Sequence, residues 1–397
     1  MQHTLTQETL DEIAEAEIEE PSESVPTDHE IQEAYSDASF RVIYQSNNYF
    51  LPQIRDLINN REVLNLRPEY QRRLRWSTKQ RSLLIESLLL NIPIPPIFLY
   101  ESDLARYEVM DGQQRLNAVH LYLENGFALT GLEKLTYLNG RRYNALPPKV
   151  RRGLERASLS AIVLLHETRG DENDPYVVRR LVFERLNTGG RPLNPQEIRN
   201  SLFRGPFNEM IVDLARNDTF CRIFNIPPYT ETDLNEYYEN PERQKNRLYR
   251  TMADCQIVLR FFALLNHEDI RGSMRSILDR CMTKNGNAKD ELLKDYREGF
   301  TSAIGGCHKI YDGDPFLLPP SEKGTRRISI ALYDANMVAL YRRKERINDL
   351  VQKREQICAS IDDLLRTKLG LLTAKANTAQ SIKDRIAEVG RVFDSVL

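Results

Sequence analysis

The chain has 397 residues, 41% hydrophobic and 28% charged, enough to bury a substantial core and to form two or three domains. It holds no run of about 18 apolar residues, and the N-terminus lacks the basic and apolar regions of a signal peptide, so neither a membrane span nor secretion is expected and a cytoplasmic protein is predicted. The net charge of −2 conceals an asymmetry: residues 1–40 contain twelve Asp and Glu and no Lys or Arg, which leaves 55 basic against 45 acidic residues in the rest, a net +10.

A basic body suits a polyanionic partner such as DNA, because Lys and Arg contacts to phosphates release counterions. The acidic tail either folds as a helix over Leu10–Ile18 and shields that body, or stays a solvated arm. The arm is expected, because the segment is highly charged and Pro21 and Pro26 end any helix. The five cysteines, at 221, 255, 281, 307 and 358, form no C-x-x-C pair, which predicts reduced thiols rather than a zinc knuckle or a disulfide framework.

Beyond the tail, residues 49–59 predict a short helix. Residues 61–76 combine a short apolar strand with a basic and aromatic cluster of Arg67, Tyr70, Gln71, Arg72, Arg73, Arg75 and Trp76. Guanidinium groups near aromatic rings suit a nucleotide or nucleic-acid surface, with Arg72, Arg73 and Arg75 the candidate DNA contacts. Trp76 is assigned to the core. Ser77 or Thr78 caps a helix over 79–91, the prolines at 93, 95 and 96 force extended chain, and a strand follows at 97–100.

The most informative stretch is 106–125, RYEVMDGQQRLNAVHLYLEN: a strand over 107–110, a tight turn at Asp111 and Gly112, and a helix marked by Leu116, Val119, His120 and Leu123. The unpaired N–H groups of a first helical turn receive phosphate readily. Gly112 permits close approach, Gln113 and Gln114 add amide donors, and Arg115 offers a planar fork for two phosphate oxygens. Asp111 is a candidate helix cap or a ligand for magnesium.

Residues 126–143 read as a hairpin, 147–157 as a helix and 158–167 as a further strand, with His166 near its end assigned a structural role. A second polar turn follows in 179–208. A helix over 179–186 leads to Asn187, Thr188, Gly189, Gly190 and Arg191, and Asn194 caps a new helix at Pro195 with Glu197 in its first turn. That turn either binds phosphate or a base edge, or serves only as a cap and connection. The remainder predicts helices over 247–265, 273–282, 289–304, 329–343, 344–369 and 380–397.

Four segments in order, YQRRLRW, LIESLLLNIPIPP, YEVMDGQQRLNAV and VFERLNTGGRPLNPQEIRNSLFRG, resemble the N-terminal domain of GmrSD-type modification-dependent restriction proteins over about residues 45–265. The resemblance implies an α+β domain of the ParB/sulfiredoxin superfold with a small mixed sheet at 41–210, followed by a mainly helical domain at 211–397. It also implies binding and Mg2+-dependent hydrolysis of a nucleoside triphosphate of unspecified base, coupled to cleavage or sensing of foreign, modified DNA in anti-phage defence. By that analogy Asp111, Gly112, Gln113, Gln114 and Arg115 form the nucleotide site, with Asp111 and Arg115 catalytic and Asp111 the metal ligand. Tyr70, Gln71 and Arg72 line the same pocket, and Asn187, Gly189, Gly190 and Glu197 form a supporting loop.

The chain departs from relatives that carry a C-terminal HNH nuclease. After residue 210 it has only His267 and His308, neither in an HNH pattern. Two alternatives therefore stand: a nucleotide hydrolase with DNA-nicking activity of its own, or a non-catalytic sensor subunit that regulates a partner nuclease, alone or as an oligomer.

Overall fold

The computed structural model describes Thr9, Ile13 and Gln32 together with residues 42–66, 76–165, 177–186, 194–203, 205–230, 240–320, 326–373 and 378–397. Its contacts divide the chain into two units, Ser24–Asn194 and Pro195–Leu397, the latter joined by Met1–Glu23.

The first unit is α+β. Its strands are β1 (Tyr44–Phe50), β2 (Leu64–Asn65), β3 (Ile97–Asp103), β4 (Arg106–Asp111) and β5 (Ser158–Leu164). They form one mixed sheet of order β1-β5-β3-β4-β2, in which β1 and β5, and β3 and β4, run antiparallel, whereas β3 and β5, and β2 and β4, run parallel. Its helices are α1 (Leu51–Asn59), α2 (Thr78–Leu89), α3 (Gln113–Leu123), α4 (Pro148–Glu155) and α5 (Val177–Leu186).

Side chains alternate across a strand, so Ile97 and Leu99, Val109, and Leu159, Ala161 and Val163 share one sheet face. Ile54 and Ile58 of α1, Leu84, Ile85 and Leu88 of α2, Leu116, Val119 and Tyr122 of α3, and Leu154 of α4 join those strand residues in one core cluster. Burying each such side chain contributes about 1.5–3 kcal/mol, which is what holds these short helices against the sheet. Trp76 packs against the same cluster, as expected. Contacts also join α5 to β4, and Val178 and Phe183 of α5 are buried.

Two local predictions needed correction: the helix expected over 49–59 starts at Leu51, and the hairpin expected over 126–143 is absent. Residues 44–50 are a strand, although YQSNNYF lacks apolar alternation; as an edge strand β1 is exposed along much of its length. Residues 126–143 hold no strand and carry instead a 3-10 turn at Thr136–Leu138. The buried carboxylate of Glu86 on α2 accepts the N–H groups of Glu133, Lys134 and Leu135 at 3.1, 2.8 and 2.7 Å, donors that a hairpin ladder would have used. Burial alone would raise the Glu86 pKa, but these three N–H bonds outweigh it and leave the carboxyl below its ordinary value.

The second unit is helical: α6 (Pro195–Leu202), α7 (Pro206–Leu214), α8 (Asp218–Ile223), α9 (Pro241–Lys245), α10 (Arg247–Arg250), α11 (Ala253–Ala263), α12 (Met274–Asn285), α13 (Asp290–Ile310), α14 (Ile330–Tyr341), α15 (Ile347–Gln352), α16 (Arg354–Thr367) and α17 (Ala379–Val396). Every residue of α11 and nearly all of α14 are buried, so these two helices form its centre. The expected helix over 247–265 is broken at Met252, whose φ of 57° interrupts the ladder, and that over 344–369 is divided at Lys353.

Two positions of the acidic segment depart from a solvated arm. Thr9 is buried and donates its hydroxyl to the Ile328 carbonyl at 2.9 Å, and the Ile13 side chain is buried while its carbonyl accepts from Gln256. Apolar burial of Ile13 within the helical unit is the gain that a solvated arm forgoes.

Candidate functional site

The DGQQR turn joins β4 to α3. Asp111 is the last residue of β4 and pairs with Phe98, and Gly112 is the N-cap of α3 with φ +93°. Only glycine fits there, for two reasons. The positive φ strains other residues, and a Cβ at this position would lie 2.5 Å from Cγ2 of Ile97 on β3. The cap uses no side-chain hydrogen bond, so Asp111 does not close the helix end.

Asp111 is instead paired within the motif. Its Oδ2 accepts from Nη2 of Arg115 at 2.6 Å, four residues on and one helical turn away. Nη1 of Arg115 donates to the carbonyls of Pro96, at 3.1 Å, and Pro95. The prolines before β3 leave extended chain, and the carbonyls of Pro95 and Pro96 face this guanidinium. The fork expected to grip phosphate is thus turned toward Asp111 and the proline segment. Arg115 is only 13% exposed, whereas Asp111 is 38% exposed and its Oδ1 has no hydrogen bond among the described residues.

Gln114 reaches a different part of the chain. Its Oε1 accepts the backbone N–H of Trp76 at 3.3 Å, and its amide nitrogen keeps two donors. On either side of the basic segment, β2 pairs with β4 at Leu64↔Tyr107 and Asn65↔Glu108, and Trp76 is bonded to Gln114. Tyr70, Gln71, Arg72, Arg73 and Arg75 themselves lie outside the described residues, as do Asn187, Gly189 and Gly190.

Of the supporting loop, Glu197 is described, in the first turn of α6 and so in the helical unit. Its neighbours are internal anchors: Arg199 is buried and donates to Asp279 on α12 at 2.7 Å, and the Gln196 amide donates to Asn200 at 2.9 Å. His267 begins an exposed 3-10 turn and His308 lies on α13. All five cysteines are free thiols, four of them buried, and burial pushes the Cys281 thiol up to about 12.

One ion pair near the motif was not anticipated from sequence. Nη2 of Arg179 on α5 donates to Oε2 of Glu108 on β4 at 2.6 Å, and the same guanidinium lies 4.1 Å from the ring centre of Tyr100 on β3. Period-two reading of YEVMD puts Glu108 on the sheet face opposite Val109, and a charged residue on a strand covered on both faces signals a partner; the identity of that partner needs the fold.

Among the described residues no group of three or more His, Cys, Asp or Glu side chains could hold a metal ion, and no helix is long and apolar enough to cross a membrane. No curated protein and no solved structure shows a significant match to the chain. A family model described as the GmrSD restriction endonuclease N-terminal domain matches residues 54–204, a span that contains every candidate site residue from Tyr70 to Glu197 and crosses the boundary between the two contact units. Over residues 54–204 the chain is therefore similar to the N-terminal domain of GmrSD restriction endonucleases.

Proposed function

We infer that the protein is a restriction-type anti-phage protein whose GmrSD N-terminal domain binds and hydrolyses a nucleoside triphosphate at the DGQQR turn, and that hydrolysis governs an action on foreign DNA. The family match supports restriction and a DNA target. The observation that carries the nucleotide reading is the turn itself: a helix start with no side-chain cap, a glycine that no other residue can replace, and a half-exposed carboxylate oriented by a nearly buried arginine.

In this reading the first-turn N–H groups of α3 and the amides of Gln113 and Gln114 receive phosphate oxygens. Arg115 holds Asp111 through Nη2 and is itself fixed by the Pro95 and Pro96 carbonyls, so the carboxylate is set before substrate arrives. A lone carboxylate suits Mg2+ carried in on phosphates, because that ion keeps several waters and takes one or two protein carboxylates; Oδ1 of Asp111 is the atom that would hold it. Bound there, the ion would neutralise charge developing on the phosphates. Asp111 would also orient the attacking water, and Tyr70, Gln71 and Arg72 would line the same pocket.

The test is phosphate release from each of the four nucleoside triphosphates with Mg2+, with and without DNA, for the native chain, Asp111→Ala and Arg115→Ala. Turnover by the native chain that both variants lose is the expected result. Nucleotide binding without turnover would favour the second reading, a sensor subunit acting on a partner nuclease, for which the single carboxylate of the turn speaks.

A further inference from the structure

The segment 139–157, NGRRYNALPPKVRRGLERA, carries six basic residues, Arg141, Arg142, Lys149, Arg151, Arg152 and Arg156, against one acid, Glu155. Helix α4 sorts these charges by face. Val150, Leu154 and Ala157 turn toward the core. Lys149, Arg152 and Arg156 follow one another at i, i+3 and i+7, which places them in a single stripe about 10 Å long on the opposite side. All three are exposed, and none forms an ion pair among the described residues.

The one acid is withdrawn from that stripe. Oε1 of Glu155 accepts the hydroxyl of the buried Tyr143 at 2.6 Å and lies 4.0 Å from Arg151. Burial, followed by this bond to Glu155, pushes the Tyr143 hydroxyl up to about 12, so it stays a donor. Gly153 adds a second indication. A Cβ there would meet nothing within 4 Å, so packing does not require glycine, yet glycine weakens a helix. Its bare backbone beside the stripe lets an extended ligand lie close.

The stripe also stands at the functional end of the sheet. Asp111 pairs with Phe98, and Phe98 pairs with Ile162 on β5, whose first residue, Ser158, follows α4 directly. The Leu51 N–H to Ala157 carbonyl bond, 3.1 Å, fixes that junction. Two strand spacings and a few residues of strand rise separate Arg156 from the DGQQR turn by on the order of 15 Å.

We propose that Lys149, Arg152 and Arg156 form the surface on which this domain holds the phosphate backbone of double-stranded DNA. The contacts are to phosphates alone, so they position the duplex beside the nucleotide turn without reading its sequence. The proposal rests on the DNA-directed part of the reading above and not on nucleotide turnover.

The test is the salt dependence of duplex binding by the full chain, for the native protein and for the triple variant Lys149→Gln, Arg152→Gln, Arg156→Gln. A control triple, Lys294→Gln, Arg346→Gln, Arg366→Gln, removes three exposed cations of the helical unit. Three lost phosphate contacts should flatten the log–log salt slope by about 2.7 and weaken binding at least tenfold near 0.1 M salt, with thermal unfolding unchanged. The control triple should keep the native slope. A native slope in the stripe variant, an equal loss in the control, or a loss confined to single-stranded RNA would overturn the assignment. A native protein that binds no duplex even at low salt would instead overturn the DNA-directed reading itself.

Discussion

Two arginine–carboxylate pairs show how differently this chain uses the same chemistry. Arg260 on α11 and Asp334 on α14 meet through two parallel hydrogen bonds, one of 2.9 Å from Nε, and both side chains are within 2% of complete burial. Arg115 and Asp111 make a single 2.6 Å contact at the end of β4, and the carboxylate is 38% exposed. The first pair is locked in a helical core where neither partner can be rehydrated; the second can exchange one partner for water, metal or phosphate at small cost. The pairs differ in geometry, two bonds against one, and still more in the solvation of the carboxylate.

The sharpest way to break that contrast is at the buried pair. Asp334→Ala leaves the Arg260 charge inside the helical core without its carboxylate and should cost about 3–5 kcal/mol in urea unfolding. A cost near that of a surface pair would remove the distinction. Gly112→Ala comes next: the alanine adopts a strained φ and meets Ile97, so a loss of about 2–3 kcal/mol is expected, read as a lower unfolding midpoint.

Glu86 is an intermediate case, a buried carboxylate stabilised chiefly by backbone N–H groups, with the nearby Lys134 charge adding to them. Glu86→Gln should cost about 1–2 kcal/mol at neutral pH. Because folding lowers its pKa, Glu86 contributes its full stabilisation above the ordinary value of 4.5 and loses it as pH falls through the lower folded value. The gap in stability between the native chain and Glu86→Gln should therefore narrow as pH falls through that acid range. A gap that stayed constant with pH would mean that the N–H groups do not depend on the charge.

Much of this arrangement was legible in the sequence where local chemistry determines it. The β4 strand, the glycine turn and α3 follow from YEVMDGQQRLNAV, and Ser77 with Gln80 makes the reciprocal cap that starts α2. The helical character of the chain after about residue 247 follows from its 3.6-residue apolar spacing. What was not legible depends on partners distant in sequence. Glu86 is an ordinary helix residue until three N–H groups 47 to 49 positions later converge on it, and Arg115 offers no sign in the sequence that Pro95 and Pro96 will occupy it. Strand β1 escaped for another reason: an edge strand needs no apolar face of its own when backbone bonds to β5 supply its order.

The smallest expected change in stability belongs to Asp111→Asn, and it is the most informative for function. The substitution keeps shape and an acceptor oxygen for Arg115 but removes the charge. The pair is partly solvated and single-contact, so unfolding should shift by less than about 1 kcal/mol. Arg115 should stay in place, because the Pro95 and Pro96 carbonyls hold Nη1 independently of Asp111. Turnover of nucleoside triphosphate should nonetheless fall by about 100-fold or more, since an amide neither orients water as a base nor serves as a strong magnesium ligand. Measured side by side, stability and phosphate release separate a charge kept for chemistry from one kept for structure. A variant that loses several kcal/mol together with its activity would show that Asp111 belongs with Asp334, as a structural partner of its arginine, and that the reacting group must be sought elsewhere in the domain.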